Sequence, residues 1–230
     1  KRAKRSAALS TSSEVGRYAV KIASRNQLHR QDILDGVKRE AHILELMKHK
    51  NVIKYHGLEE TGEEIGLILE FAEGGSLADL IRTHGPASGL NSLTVQTCQV
   101  IEMGMQIASA MEYIHSQGIA HRDIKADNIL ISQAYGSGPL CVQSNTIKVA
   151  DFGVAAVLAT SAGPKLKSQV GTGAYFAPER GEGKNYGTKA DMWAVGCVFI
   201  ELVTMTRLKR AIWHSGAQVS ERRTKLLEQV

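Results

Sequence analysis

The decapeptide His121-Arg122-Asp123-Ile124-Lys125-Ala126-Asp127-Asn128-Ile129-Leu130 constrains this chain more than any other feature. Asp151-Phe152-Gly153 and then Ala177-Pro178-Glu179 follow it, while upstream Tyr18-Ala19-Val20-Lys21 ends a strand-like run. Each motif alone has an ordinary explanation. His-Arg-Asp is a surface charge cluster, Asp-Phe-Gly a turn after a strand, and Val20-Lys21 an exposed strand edge. The set becomes specific because the first motif continues through Lys125 and Asn128. Asp151 also lies 28 residues beyond Asp123, directly after the strand-like Ile147–Ala150.

Composition narrows the field. At 230 residues the chain can bury one large core or two small ones, and 43% hydrophobic content is ordinary for a globular protein. No apolar stretch approaches the roughly 20 residues that cross a bilayer, so no membrane partner is expected. No signal-type apolar run follows the charged Lys1-Arg2-Ala3-Lys4-Arg5. Cys98, Cys141 and Cys197 are odd in number and far apart. That argues against a disulfide framework or zinc cluster and for a reducing setting, the cytoplasm with the nucleus also open. The net charge of +5 is spread without interleaved aromatics, which reads as a solvated surface and not a nucleic-acid site.

Along the chain, Lys1–Arg5 reads as a strand, Ser10-Thr11-Ser12-Ser13 as a loop whose hydroxyls compete for backbone hydrogen bonds, and Arg17–Ala23 as a second strand. Gln31–Lys48 is expected to be helical, with Val37, Ala41, Leu44 and Met47 at spacings of three and four. Asn51–Leu58 and Ile65–Phe71 are further strand candidates, and Gly74-Gly75 marks a hinge. Helices dominate from there: Leu93–His115, slightly weakened by Gly104, and Asp191–Thr204, apolar enough to be buried. Gln133–Asn145 reads as a surface insertion before the strand at Ile147–Val149, and Val154–Val170 as a polar, flexible segment.

In order and spacing the four motifs resemble the catalytic core of a eukaryotic protein kinase. The resemblance implies an α+β, bilobal fold, with a small β-rich lobe carrying one main helix over 1–72 and a larger, mostly helical lobe over 73–230. It implies ATP and Mg²⁺ as cofactors and protein substrates bearing serine or threonine. Phosphoryl transfer needs charge neutralisation and alignment more than covalent chemistry. By resemblance, Asp123 orients the substrate hydroxyl and accepts its proton, and Lys125 offsets charge on the transferred group. Asn128 and Asp151 supply the hard oxygen ligands that Mg²⁺ prefers. His121 is then structural, and Arg122 meets a phosphorylated activation segment.

Lys21 resembles the lysine that clamps the α- and β-phosphates, and its partner should be a helix glutamate. Glu40 shares a face with Leu44 and Met47, where a charge is costly unless paired; Glu45, among polar neighbours, is the alternative. Ala19 and Leu130 would sandwich adenine, with Leu69 just before the hinge and the backbone of Glu70 to Ala72 reading the adenine edge. Lys125 and Thr172 match serine/threonine kinases. Lys125-Ala126-Asp127-Asn128 and Gly74-Gly75-Ser76-Leu77 look most like the sterile-type kinases of mitogen-activated cascades, or the NIMA-related group. Ser168, four residues before Thr172, is the expected site for an upstream activating kinase, with Thr160 and Ser161 as alternatives.

The chain departs from the family at both ends. No glycine-rich loop precedes Lys1–Arg5, and Glu179 lacks the late-helix arginine that normally pairs with it, Arg207 and Arg210 coming too soon. The chain therefore reads as a fragment spanning most of such a domain. Two other functions compete: a non-catalytic kinase-fold scaffold, which replacement of Lys21, Asp123, Asn128 or Asp151 would favour, and a basic nucleic-acid binder resting on charge alone.

Overall fold

The computed structural model describes residues 16–24, 31–62, 64–85, 97–133, 146–158, 170–181, 183 and 186–208. The expectations for 1–5, 10–13, 134–145, Thr160, Ser161, Ser168 and Arg210 lie outside them.

Alternating apolar residues build a small antiparallel sheet from β1 (Tyr18–Ser24), β2 (Tyr55–Glu60) and β3 (Glu64–Glu70) in the order β1-β3-β2. Ile65 and Leu67 on the central strand are fully buried. Thr61 closes the β2–β3 hairpin by accepting the Glu64 N–H on its hydroxyl at 3.0 Å. The register sets Ala19 opposite Leu69 and Lys21 opposite Leu67. Helix α1 (Gln31–Leu46) buries Glu40, Ala41, Ile43 and Leu44. It stops two residues before the expected Lys48. There the Tyr113 hydroxyl accepts the Lys48 N–H at 2.9 Å and so takes up a donor that would otherwise continue the helix.

The second lobe is mostly helical: α2 (Leu77–His84), α3 (Thr97–Ser116), α4 (Pro178–Gly181) and α5 (Thr188–Thr204). Two short antiparallel pairs accompany them, β4 (Ile119–Ala120) with β7 (Ala156–Val157) and β5 (Ile129–Ile131) with β6 (Ile147–Val149). Ala156 and Val157, near the start of the expected flexible segment, are therefore a strand. A capping box starts α2: the Ser76 hydroxyl accepts the Asp79 N–H and the Asp79 carboxylate accepts the Ser76 N–H, at 3.1 and 3.0 Å. Ile107, Ala110, Met111 and Ile114 of α3 are fully buried. Gly104 is a packing requirement there, because a β-carbon on it would stand 1.8 Å from the Phe199 ring of α5.

Among the described residues, two stretches of backbone join the lobes of this bilobal α+β fold. The first is the expected hinge. Gly74 passes so close to the second lobe that a β-carbon would stand 2.4 Å from the Gln133 carbonyl oxygen, and Gly75 has φ +71°. The second overturns the expected start of the strand at Asn51. The Ile53 N–H donates to the Val149 carbonyl at 2.9 Å and the Val149 N–H to the Asn51 carbonyl at 2.8 Å. Residues 51–53 thus pair with β6 of the second lobe, and β2 begins only at Tyr55. The fully buried Asn51 side chain secures this by donating to Gln106 Oε1 at 2.9 Å and to the Ile147 carbonyl at 3.0 Å.

Candidate active site

The decapeptide leaves β4, runs through a loop and a 3₁₀ turn at Ala126–Asn128, and ends as β5. Its conformation is imposed from below. Asp191, in the first turn of α5 and 2% exposed, accepts the His121 N–H on Oδ2 and the Arg122 N–H on Oδ1, both at 2.8 Å. His115 Nε2 lies 3.0 Å from the same Oδ2. Arg122 has φ +73°, a conformation that persists in a non-glycine residue only when its surroundings over-determine it. His121 is fully buried and stands edge-on to Phe152, ring centroids 4.8 Å apart. Its Nε2 lies 3.1 Å from the Ala150 carbonyl and its Nδ1 3.3 Å from the Asp123 N–H. That network assigns the neutral Nε2–H tautomer, and burial holds the imidazole below its ordinary range.

Four side chains converge at the end of the loop. Lys125 Nζ donates to Asp123 Oδ2 at 2.6 Å and to the Thr172 hydroxyl at 2.9 Å. Thr172 donates to Asp123 Oδ1 at 3.0 Å. Asn128 Nδ2 donates to the Asp123 carbonyl at 2.8 Å and to Oδ2 at 3.0 Å. The arrangement presents a half-buried carboxylate with an ammonium and a hydroxyl beside it. Such a carboxylate can orient a hydroxyl nucleophile and accept its proton.

The second cluster spans the lobes. Lys21 Nζ lies 2.8 Å from both carboxylate oxygens of Glu40 and 2.8 Å from Asp151 Oδ1. The sequence expectation of Glu40 over Glu45 as the partner of Lys21 agrees with this contact. Burial opposes the Lys21 ammonium, but Glu40 and then Asp151 outweigh it and hold Lys21 above its ordinary range. Burial lifts the Glu40 carboxyl, with Lys21 pulling the opposite way. Asp151 has φ +65°, and the adjoining Gly153 keeps the site open. A β-carbon there would stand 3.2 Å from Asp151 Oδ1, 3.2 Å from Glu40 Oε2 and 3.5 Å from Lys21 Nζ.

The donor set fits a nucleotide with a hard divalent cation. Asn128 commits its amide nitrogen to Asp123, which turns its carbonyl oxygen to the other side, and Asp151 adds a carboxylate from a different segment. The cradle that a β-carbon at Gly153 would fill lies beside the Lys21 ammonium.

Comparison with known proteins gives the family. Residues 7–228 match the family model described as the protein kinase domain. The chain belongs to the protein kinase family. It is 36% identical over 200 residues to the serine/threonine-protein kinase RAD53 of Saccharomyces cerevisiae, covering 81% of this chain and 22% of that protein. It is 36% identical over 187 residues to MAP3K epsilon protein kinase 1 of Arabidopsis thaliana, covering 81% of this chain and 12% of that protein. It is 32% identical over 200 residues to the serine/threonine-protein kinase Nek1 of Mus musculus, covering 86% and 15%. The chain thus spans less than a quarter of the length of these relatives.

The remaining expected residues of the kinase domain fall as follows. Ala19, Leu69, Glu70, Ala72 and Leu130 are half-buried along β1, the end of β3, the hinge and β5. The Glu70 side chain is engaged by Lys148 Nζ at 3.0 Å and by the Lys54 N–H at 3.2 Å. Arg122 donates from Nε to the Tyr186 hydroxyl at 3.1 Å. Glu179 is half-buried in α4. Arg207 engages Asp127 at 2.6 Å and Glu201 at 3.3 Å, so its carboxylate partners are these two. Sequence reasoning missed Asp191, and the signal was available. A carboxylate heading an apolar helix must be paired, by the same rule that singled out Glu40.

Proposed function

We propose that this protein transfers the γ-phosphoryl group of ATP to serine and threonine hydroxyls of protein substrates within a signalling cascade. The observation that carries the reading is the Lys21–Glu40–Asp151 contact at 2.8 Å, which brings α1, β1 and the Asp-Phe-Gly segment together. Asp123 holds the substrate hydroxyl and takes its proton, and Lys125 stands beside it to offset charge on the group in transit. Thr172 fixes the second Asp123 oxygen, which supports serine/threonine specificity. Lys21 grips the α- and β-phosphates, while Ala19, Leu69 and Leu130 border adenine and the backbone of Glu70 to Ala72 reads its edge. Asn128 and Asp151 hold Mg²⁺, which when bound neutralises phosphate charge. The lobes divide into 1–72 and 73–230. Among the described residues no helix is long and apolar enough to cross a membrane; we place the protein inside the cell, where ATP is available. Similarity spread across kinases named RAD53, MAP3K epsilon and Nek1 supports the sterile-type or NIMA-related assignment only broadly. Arg122 receives a phosphorylated activation segment, with Ser168 as the site; mass spectrometry of an active preparation in which Ser168 is never modified removes that assignment.

The experiment is transfer from labelled ATP to a generic basic protein, with Mg²⁺, using the full-length protein beside Asp123→Asn. Transfer to serine and threonine that falls by about 10²–10⁴-fold in the variant, as for loss of a general base, is the expected result. A folded protein that binds ATP and transfers nothing is a nucleotide-binding scaffold.

A further inference from the structure

The peptide plane that enters Asp123 is held from two directions, only one of them within the sequence motifs. Its N–H, on Asp123, reaches His121 Nδ1 at 3.3 Å. Its carbonyl oxygen, on Arg122, accepts from Arg180 Nη1 at 2.8 Å. Arg180 follows Glu179 in α4 and is only 5% exposed, an unusual place for a guanidinium. The rings of Phe176 and Tyr186 accompany it, with centroids 4.2 and 4.7 Å from the guanidinium carbon. Tyr186 also accepts from Arg122 Nε at 3.1 Å. Asp191 meanwhile holds the Arg122 N–H, so both polar backbone groups of this positive-φ residue are tied to buried charged side chains. Gly171, next to Thr172, passes over the contact. A β-carbon there would stand 2.6 Å from the Arg122 oxygen and 3.2 Å from Arg180 Nη2.

We propose that Arg180 is a positioning residue for phosphoryl transfer: acting through the Arg122 carbonyl, it fixes the peptide plane that aims the Asp123 carboxylate. This rests on the role given to Asp123 above. Because the peptide is planar, anchoring its oxygen also fixes the direction of the Asp123 N–H and so where the Asp123 side chain starts. Displacement of a reacting group by about 1 Å costs on the order of 100-fold in rate.

The test uses the full-length protein with Arg180→Met, which keeps an unbranched stem beside the rings but has no donor, and Arg180→Lys, which keeps a charged donor group on a flexible stem but lacks the planar fork. Two quantities are read: kcat against KM for ATP, and amide hydrogen exchange by segment. Arg180→Met is expected to lower kcat about 10- to 100-fold and Arg180→Lys about 3- to 10-fold, with KM for ATP within about 2-fold. Exchange is expected to rise over 121–128 while α3 and α5 keep their protection. Wild-type kcat in folded Arg180→Met, or a rise in exchange shared equally by α3 and α5, overturns the proposal. If Arg180→Met does not fold, Arg180→Lys decides alone: the same kcat–KM split supports the proposal and wild-type kcat overturns it. If the wild type itself transfers no phosphate, the functional reading fails by itself. The exchange measurement then still decides whether Arg180 anchors the loop.

Discussion

Arg122 and Asp151 hold φ at +73° and +65° although neither is glycine, and each such residue costs about 1–3 kcal/mol and persists only where its surroundings impose it. The cost is met locally by charged side chains whose partners are backbone groups or one another. Glu40→Gln keeps the shape of its side chain but removes the charge that faces Lys21. Transfer measured as kcat/KM should fall about 10- to 100-fold, the scale of a hydrogen bond to a charged group. Thermal unfolding should move little, because Lys21 keeps Asp151.

His121 sets a pH dependence. Burial holds its folded pKa below the ordinary value, so the folded state carries a neutral imidazole while the unfolded chain takes up a proton below about 6.5. The unfolded state then binds more protons, and stability is lost as pH falls below about 6.5, by up to about 1.4 kcal/mol per unit. Urea unfolding at pH 7.5, 6 and 5 should show this slope in the wild type and a shallower one in His121→Asn. Parallel slopes would exclude His121 as the source.

At the scale of elements, helix propensity and packing conflict at Gly104. Alanine there should favour α3 by up to about 1 kcal/mol, but its β-carbon would collide with the Phe199 ring, and overpacking of this kind costs about 1–3 kcal/mol. Gly104→Ala should therefore lower the urea midpoint. Adding Phe199→Leu should recover part of the loss, which a purely local helix effect would not do. The early end of α1 has the same origin, because Tyr113 of α3 takes the Lys48 N–H. In each case a helix yields to a neighbour from a distant stretch of sequence.

For the whole molecule, residues 51–53 tie the two lobes together through backbone hydrogen bonds. They precede β2 of the first lobe yet pair with β6 of the second. Asn51→Ala removes two buried N–H donations and leaves the Ile147 carbonyl without the Asn51 donor, while Gln106 Oε1 keeps the Ile147 N–H. The expected loss is about 1–3 kcal/mol, the cost of one stranded polar group. It should appear as a lower urea midpoint, with probes in the sheet and in α3 no longer unfolding together. A midpoint within about 0.5 kcal/mol of wild type, the range of ordinary surface substitutions, would show that the lobes are held elsewhere.

The sequence alone determined the order of the motifs, the division into a strand-rich and a helix-rich half, and the pairing of Glu40 with Lys21. The first two rest on residue types and short-range periodicity. The pairing rests on the resemblance to protein kinases, which implies a helix glutamate beside Lys21, and on the rule that a charge on an apolar stripe needs a partner, which selects Glu40. It placed β3, β6 and most of α5 within a few residues, because their apolar runs are bounded by polar or glycine signals. Only the tertiary structure decided that residues 51–53 leave the first lobe's sheet, that Gly104 accommodates Phe199, that Asp191 carries two loop N–H groups, and that Arg180 reaches the Arg122 carbonyl. Each of these joins residues far apart in sequence through a backbone group or a close approach. Backbone groups are the same in every residue, so the identity of a side chain records that it needs a partner and not where in the chain that partner lies.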